Sequence, residues 1–492
     1  MGHSLGQGRK YVCFCGAIIT IFCLWVAGHL SASPQNNSKT TAPSASLARP
    51  DIVFVQTPLF ASGPLAERFP RGSRILLLKA PTAANAPISL TDGFFAAADP
   101  QINFGATKIL FSAQKSQGDR WQLWEMNLDG TNKRQVTQCE ADCLRGAYLP
   151  ANEIALTVES RNGDNPAYLA VMKTDGSQLR RITFGPAAFQ LETVLLDGRI
   201  VASAPWPLYQ DTNTRILYTL RPDGTALESL RCDHHNAVQT DAAELNDGAV
   251  VFVRAGEKAP AGELMQLRRG SGAPAPLGSR SLVYESPRQL SASELLVAKA
   301  ATNSSSSQRK FDLYTLQAKS GALGQRIFAD PKLSSVQPLP ILPHDVPKHF
   351  WSTLNPESSA GYFISLNSSL SADAPRGQID KTIANVRVLT LNPIDGRERT
   401  LGEAPVETDG SFYVRVPANT PIRFILLDKK GDFIHEERGW VWTRPGEQRG
   451  CTGCHGDKNV APENHWPMAL KRFDTPTPLG ETEHAPATST AK

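Results

Sequence analysis

Lys108-Ile-Leu-Phe-Ser112 is followed by Trp121-Gln-Leu-Trp-Glu-Met-Asn-Leu128, Asp129-Gly130 and Arg134-Gln-Val-Thr137. Apolar and polar residues alternate with a period of two from Trp121 to Leu128, which indicates a strand rather than a helix. The Asp-Gly pair supplies the positive φ angles that a tight hairpin needs. The stretch therefore predicts short antiparallel strands joined by hairpin turns.

The same order of segments recurs along the chain. Comparable turns stand at Asp175-Gly176, Asp223-Gly224, Gly270 and Ser320-Gly321, so the repeat is about 46 to 50 residues long. A repeat of this length built from short strands is typical of the blades of a β-propeller. Five copies follow residue 98, and the segment from 51 to 93 has room for one more. We predict a propeller of six blades over residues 51–343, with five or seven blades as alternatives.

The repeat also resembles a known type. The order strand, strand, Leu-Asp-Gly-Thr and Arg-x-x-Thr, seen from Leu128 to Thr137, is similar to that of TolB-type propeller repeats. The resemblance implies a scaffold, and a scaffold does not define a function by itself.

Further strands are predicted after the propeller. Runs of alternating apolar residues, separated by Pro, Gly, Asp and Asn, begin near Gly361, Ala384, Ser411 and Ile422. They predict a small β-sandwich-like domain over residues 344–448. The fold class is therefore mainly β.

The motif Gly450-Cys451-Thr452-Gly453-Cys454-His455-Gly456 carries the clearest chemistry. Two cysteines two residues apart, with histidine next, form the attachment pattern of c-type haem. The thiols of Cys451 and Cys454 bind the haem vinyl groups, and His455 is the expected proximal ligand of the iron. A short disulfide, a thioredoxin-like redox pair and half of a zinc site are the alternatives. The sequence predicts a haem-binding segment over residues 449–475.

Several motifs near this point resemble one family. The middle domain of the hydrazine synthase alpha subunit and its relatives is similar at Glu407-Thr-Asp-Gly-Ser-Phe-Tyr413, Val416-Pro-Ala-Asn-Thr-Pro421, Leu426-Leu-Asp428, Trp440, Arg444-Pro-Gly-Glu447 and Gly450–Gly456. The resemblance implies an exported propeller and β-rich domain that hold one haem c near the propeller. The synthase subunit carries a second haem in a further domain, whereas this sequence has one Cys-x-x-Cys-His. Hydrazine synthesis is therefore not implied.

The second axial position of the iron would decide its chemistry. A Met or His ligand there suits electron transfer, and an open position lets small molecules bind. His465 and Met468 are the preferred candidates because they follow the attachment motif. The other candidates are His435, His344, His349 and His484. For each of them an ordinary surface or core side chain is the simpler interpretation.

Cys232, His234 and His235 form a second candidate site. A thiolate and two imidazoles are suitable ligands for zinc, or they would face the haem across a domain boundary. Neighbouring residues on a strand point to opposite faces, so only one of the two histidines is expected to join Cys232. A polar loop between blades is the alternative.

The N-terminal sequence and two cysteines suggest an exported protein. Arg9 and Lys10 precede an apolar run, so residues 1–30 are expected to be a signal peptide or a membrane anchor, followed by a flexible linker over 31–50. Cys139 and Cys143 are expected to pair in an oxidising compartment, here the periplasm. A disordered tail is expected over 476–492.

The net charge of +4 on 492 residues gives no argument for nucleic acid as a partner.

Three functions remain open at this stage. The first is a periplasmic monohaem c-type cytochrome-like protein that transfers electrons with a partner protein. The second is a haem enzyme acting on a small nitrogen or oxygen compound at an open iron between the propeller and the haem domain. The third is a propeller scaffold with a structural haem. Membrane contact is expected only through the N-terminal segment, if it is not cleaved.

Overall fold

The computed structural model describes residues 49–58, 65–81, 85–161, 166–206, 214–230, 237–256, 259–268, 273–301, 309–371, 374, 377–392, 396–453 and 465–480. Strands dominate these residues, and the helical turns include Leu65–Glu67 and Met468–Leu470. None of the described helices has the length and apolar character needed to span a bilayer. The predicted signal peptide or anchor lies outside the described residues, as does most of the predicted linker.

Six antiparallel blades form the propeller within the described residues, with blades 4 and 5 joined in one eight-stranded sheet. Blade 1 begins with β1 (Ile52–Thr57), β2 (Arg74–Leu78) and β3 (Ile88–Ser89). Blade 2 contains β4 (Ala96–Ile102), β5 (Lys108–Gln114), β6 (Gln122–Asn127) and β7 (Arg134–Gln135). Blade 3 contains β8 (Asp142–Leu149), β9 (Glu153–Glu159), β10 (Tyr168–Lys173) and β11 (Arg180–Arg181).

The second half of the propeller has the same arrangement. Blade 4 contains β12 (Gln190–Val194), β13 (Ile200–Pro205), β14 (Arg215–Leu220) and β15 (Glu228–Ser229). Blade 5 contains β16 (Ala237–Glu244), β17 (Val250–Gly256), β18 (Ala259–Leu267) and β19 (Ala275–Pro276). Blade 6 contains β20 (Leu282–Gln289), β21 (Glu294–Ala301), β22 (Asp312–Gln317) and β23 (Leu323–Phe328). A single parallel pairing, Arg215 with Val238, joins blades 4 and 5.

The last strand of the propeller closes the ring. Strand β24 (Ser334–Pro340) pairs antiparallel with β1 and completes blade 1. This pairing covers a sheet edge that would otherwise be exposed. The prediction of a six-bladed propeller is confirmed.

The Asp-Gly turns have the predicted backbone. Gly130 and Gly176 have φ angles of 81° and 96°. A Cβ atom at Gly176 would also lie 2.5 Å from the carbonyl oxygen of Val136 in the preceding blade. Glycine is therefore required at this turn both by the φ angle and by the packing of one blade on the next.

Two four-stranded sheets form the predicted sandwich. The strands are β25 (Ala360–Ser365), β26 (Asn385–Leu391), β27 (Glu398–Pro405), β28 (Phe412–Pro417), β29 (Ile422–Leu427), β30 (Phe433–Glu436), β31 (Gln448–Cys451) and β32 (Thr477–Pro478). One sheet has the order β31-β25-β28-β32 and the other β27-β26-β29-β30. Alternate residues such as Phe363, Val414, Val386 and Phe424 are buried in a core shared by the two sheets. This arrangement explains the period-two pattern of the sequence.

The boundaries at the end of the chain differ from the prediction. The segment starting at residue 449 belongs to the sandwich, because β31 pairs in parallel with β25 and β32 pairs in parallel with β28. Leu479 is buried in the sandwich core, so residues 476–480 are ordered where a disordered tail was expected. The sequence did not indicate this order because Leu479 is a single apolar residue in a polar segment. Residues 481–492 lie outside the described part of the chain.

The sandwich packs against blades 3 and 4. The Trp442 ring is fully buried, with its centre 6.0 Å from the ring of Phe184 and 5.8 Å from that of Phe189. Arg444 Nε donates to the carbonyl oxygen of Asp223 at 2.8 Å. An aromatic contact and a polar contact thus fix the sandwich on the propeller.

The segment 341–359 connects the two domains across one end of the propeller. The backbone N–H of His344 donates to the carbonyl oxygen of Phe104 in blade 2 at 3.0 Å, and that of Lys348 donates to Leu196 in blade 4 at 3.0 Å. We call residues 341–348 the strap. The strap is held to blades 2 and 4 by these two hydrogen bonds.

Candidate cofactor site at the end of the sandwich

Cys451 is the last residue of β31 and lies at the edge of the sandwich. It is opposite Ser365 in the parallel pairing with β25, and its carbonyl oxygen accepts a hydrogen bond from Leu366 N at 2.8 Å. Its half-buried side chain packs against the sandwich core. The first cysteine of the motif is therefore held by sheet pairing rather than by a loop.

A pocket lies beside this thiol. Its lining includes the aromatic rings of Phe363, Phe412 and Phe424, together with Glu437 and Arg449. Phe424 packs on the other two rings, with ring centres 5.2 Å from Phe363 and 5.4 Å from Phe412. These rings come from both sheets of the sandwich, so the pocket opens directly into the hydrophobic core.

The charges near Cys451 act in opposite directions. Burial raises the pKa of the thiol, the positive Arg449 lowers it, and Glu437 raises it further. Burial also raises the pKa of the Glu437 carboxyl. Arg449 is held by the carbonyl oxygens of Trp442, at 3.0 Å, and Leu227, at 2.9 Å. Arg449 thus brings a fixed positive charge to the pocket and connects it to blade 4 of the propeller.

Buried polar atoms at this end of the sandwich test whether a further group fits. The Ser365 hydroxyl lines the pocket, and neither it nor the nearby Ser368 hydroxyl has a hydrogen-bond partner among the described residues. An unpaired buried hydroxyl costs about 1–3 kcal/mol. Ser335 and Thr443 also have such hydroxyls, so this feature does not mark a site by itself. The pocket has a volume of only about 50 Å³, so its aromatic walls and the thiol at its edge suit one edge of an apolar group attached through Cys451, while the rest of the group would lie outside the pocket.

Gly453 explains part of the motif's spacing. A Cβ atom at this position would lie 2.5 Å from the carbonyl oxygen of Leu370 and 2.9 Å from that of Asn367. Only glycine allows the chain after Cys451 to pass this close to the segment that follows β25. Cys454 and His455 lie outside the described residues, so their attachment and ligand roles stay predictions.

His465 and Met468 lie at the same end of the sheet, against the turn that precedes β28. Asp409 Oδ2 is 3.3 Å from His465 Nε2 and accepts a hydrogen bond from Met468 N at 2.8 Å. Thr408 Oγ1 donates to the sulfur of Met468 at 3.3 Å. Strand β28 is two strands from β31, a distance of about 10 Å. The structure thus brings both candidates to the end of the sandwich that carries Cys451 and gives each a protein partner.

The remaining histidines divide into two groups. His435 lies on β30, with Nε2 3.3 Å from Ser371 Oγ, close to the segment that Gly453 contacts. His344 lies on the strap against Phe104, and His349 packs on the exposed ring of Trp351. Both are therefore on the connecting segment against the propeller, whereas His435 is on the sandwich.

Other predicted ligands fall outside the described chain. These are Cys232, His234 and His235, proposed for zinc or for facing the haem, and His484. Among the described residues, no group of three or more His, Cys, Asp and Glu side chains could hold a metal ion. Cys139 and Cys143 form the predicted disulfide.

Sequence reasoning missed Ser365, Glu437 and Arg449. The spacing of Arg449 and Cys451, two residues apart, was the available signal, because such residues share one face of a strand. This spacing could be interpreted only once β31 was known to be a strand. Trp440 and Trp442, just before the motif, are both buried.

Together these features define a mainly β protein in which a six-bladed propeller carries a sandwich with a thiol-edged pocket. Comparison with known proteins extends this description. Residues 367–456 match the model of the hydrazine synthase alpha subunit middle domain. Hydrazine synthase subunit alpha of Kuenenia stuttgartiensis is 24% identical over 577 residues, covering 86% of this chain and 69% of that protein.

A solved structure of hydrazine synthase agrees with this fold. Kuenenia stuttgartiensis hydrazine synthase matches with a TM-score of 0.75 and 20% identity, over 86% of this chain and 71% of that chain. TolB from Acinetobacter baumannii matches with a TM-score of 0.43 and 12% identity, over 59% and 66%. The predicted resemblance to the hydrazine synthase alpha subunit is confirmed, and it extends from the propeller through the sandwich.

Proposed function

We propose that this chain is an exported protein that carries one covalent haem c, attached at Cys451 and Cys454 with His455 as the proximal ligand. The position of Cys451 carries the proposal, since its side chain lies at the end of β31 beside an aromatic pocket. The match of residues 367–456 supports it, because that range ends on the glycine that follows His455.

Haem c supplies an iron that exchanges an electron or binds a small ligand. The chain's own residues would hold the edge of the group that is bonded to Cys451. Phe363, Phe412 and Phe424 provide the apolar walls, and the Ser365 hydroxyl is available to a polar substituent. Arg449 is fixed by two carbonyl oxygens and favours a negative charge in the pocket.

The first proposed role is electron transfer in the periplasm with a redox partner protein. Export is supported by the positively charged and apolar N-terminal sequence and by the Cys139–Cys143 disulfide. Under this proposal the propeller is the scaffold, and the sandwich edge near β31 is where electrons enter and leave.

A second candidate role is catalysis on a small nitrogen or oxygen compound at an open iron. It requires that neither His465 nor Met468 binds the iron. The imidazole of His465 is next to Asp409, and the sulfur of Met468 accepts a hydrogen bond from Thr408. Both side chains could keep these contacts and still bind iron, because an imidazole has a second ring nitrogen and a thioether sulfur has a second lone pair.

One experiment separates the two roles. Protein matured with a haem c assembly system is examined by optical and electron paramagnetic resonance spectroscopy, oxidised and reduced, with and without carbon monoxide. Electron transfer predicts a low-spin iron that does not bind carbon monoxide. Catalysis predicts a high-spin iron that does bind it. A protein without covalent haem contradicts both roles.

A further inference from the structure

The innermost strands of the propeller carry a layer of β-bulges. Residues of five blades have φ angles between 50° and 53° there, namely Asp99, Arg145, Asp241, Ser286 and Gln337. In blade 4 the register shifts between Leu191 and Thr193, on either side of Glu192. Such bulges re-aim side chains, and here they turn polar groups toward the axis.

The side chains of this layer pair with one another. Arg68 Nη2 is 2.9 Å from Asp99 Oδ1, and Arg145 contacts Glu192 at 2.9 Å and Asp241 at 3.2 Å. Gln337 also donates to Asp99, and Ser203 donates to Glu192. The three carboxylates therefore already have close donors.

Arg288 lies near this layer but, unlike Arg68 and Arg145, is not paired with a carboxylate of the described chain. It lies two residues after the bulge at Ser286, and its Nη1 donates to the carbonyl oxygen of Pro287 at 2.9 Å. No carboxylate of the described chain lies within ion-pair distance of its guanidinium, and Asp241, Glu192 and Asp99 act on it only through longer-range attraction. A guanidinium has five N–H donors, so most of those of Arg288 remain available.

These donors face a cavity of about 550 Å³ at the mouth of the propeller. Arg288 lines both this cavity and the narrow space around the bulge layer, so it forms the floor. Ala147, Ala243 and Leu339 provide apolar walls at the same level, and the strap crosses above. The volume is within the range of small-molecule sites, and the strap's hydrogen bonds to blades 2 and 4 make the cavity preformed.

The rim of the cavity is negatively charged, whereas Arg288 at the floor is positive. Glu244 lines it and accepts a hydrogen bond from Leu196 N at 2.5 Å, and Asp345 lines it from the strap. Two carboxylates at the rim repel a ligand with negative charge at its outer end and attract one with positive charge there.

We propose that this cavity binds a small carboxylate with at most one net negative charge, including a zwitterionic amino acid. The ligand's carboxylate pairs with Arg288 at the floor, because a guanidinium fork matches a carboxylate in two parallel hydrogen bonds. Its apolar part lies along Ala147, Ala243 and Leu339, and a second carboxylate is disfavoured by Glu244 and Asp345. The site does not depend on haem.

Calorimetric titration of the full chain tests the proposal with four probes: hexanoate, hexanamide, L-leucine and adipate. Hexanoate and L-leucine are expected to bind. Hexanamide, which has nearly the same shape without the charge, is expected to bind at least about tenfold more weakly. Adipate is expected to bind more weakly than hexanoate. Absence of binding by hexanoate and L-leucine, or equal binding of hexanoate and hexanamide, overturns the proposal.

Two variants locate the binding. Arg288→Gln is expected to weaken hexanoate binding at least about tenfold, while Arg326→Gln, an exposed arginine on β23, leaves it unchanged. Ala243→Phe fills the cavity from its apolar wall, keeps Arg288 and is expected to abolish binding. Circular dichroism establishes that each variant is folded. A folded variant of either kind that binds hexanoate like the original protein contradicts the site, and the haem content plays no part in this result.

Discussion

At the axis of the propeller, the guanidinium of Arg145 is paired with both Glu192 and Asp241, and the Ser203 hydroxyl donates to Glu192. At the end of the sandwich, by contrast, the equally buried hydroxyls of Ser365 and Ser368 have no partner among the described residues. Both regions bury polar groups in a β-protein. In the first region Arg145 and its two carboxylates are paired and fix the scaffold, whereas in the second region the two hydroxyls remain available to another group.

The largest loss of stability is expected at the ion pairs of Arg145 on the propeller axis. Arg145→Ala leaves Glu192 and Asp241 buried without their cation, so we expect the free energy of unfolding to fall by about 3–5 kcal/mol. Chemical denaturation measures it. The matched control is Arg387→Ala in the half-exposed pair with Glu403, for which a loss of at most about 1 kcal/mol is expected. Equal losses in the two variants would show that burial does not distinguish the pairs.

A pH-dependent effect is expected at Glu285, which shares the axis with Asp241. Burial and then the neighbouring Asp241 raise the pKa of Glu285 well above its ordinary value of 4.5, against the opposing charges of Arg68 and Arg145. The folded state therefore holds a proton that the unfolded state releases. The stabilisation is complete below about pH 4.5 and is lost as the pH rises toward the folded pKa.

Glu285→Gln keeps the neutral form at every pH and removes this dependence. We expect the variant to match the original protein near pH 4.5. Above that pH it should gain relative stability by about 1.4 kcal/mol per pH unit up to the folded pKa. Denaturation at a series of pH values measures the difference. A difference that does not change with pH would mean that Glu285 ionises normally in the folded protein.

A smaller effect compares one buried serine from each region. Ser203→Ala removes a hydroxyl that donates to Glu192, so we expect a loss of about 1–2 kcal/mol. Ser365→Ala removes a hydroxyl with no partner, so we expect a gain of about 1 kcal/mol in protein without haem. In matured protein the gain should disappear if the bound group satisfies the hydroxyl. Thermal or chemical unfolding of both forms gives the sign of each change.

Much of the fold was predictable because it is recorded in local patterns. The Asp-Gly turns at regular spacing gave the number of blades, and alternating apolar residues gave most sandwich strands. The strands β31 and β32 were missed because each is short and pairs with a distant strand. Leu479 was missed because a single apolar residue in a polar tail has no period.

The site was only partly predictable for a related reason. Cys451 was found because the chemistry of haem attachment fixes a spacing along the chain. Ser365 and Glu437 approach the thiol only through the pairing of β25 with β31 and the packing of the two sheets, which no local spacing records. The bulge layer at the propeller axis was also invisible, since a bulge shifts register without a consistent residue signature.

Peptide mass spectrometry with haem-stained gels tests the proposed covalent attachment of haem at the sandwich edge. The original chain, Cys451→Ser and Cys454→Ser are each matured with a haem c assembly system and digested. We expect a haem-bearing peptide containing residues 450–456 in the original chain and no doubly attached haem in either variant. Matured protein that lacks a haem-bearing peptide, or haem attached equally in all three proteins, would contradict the claim.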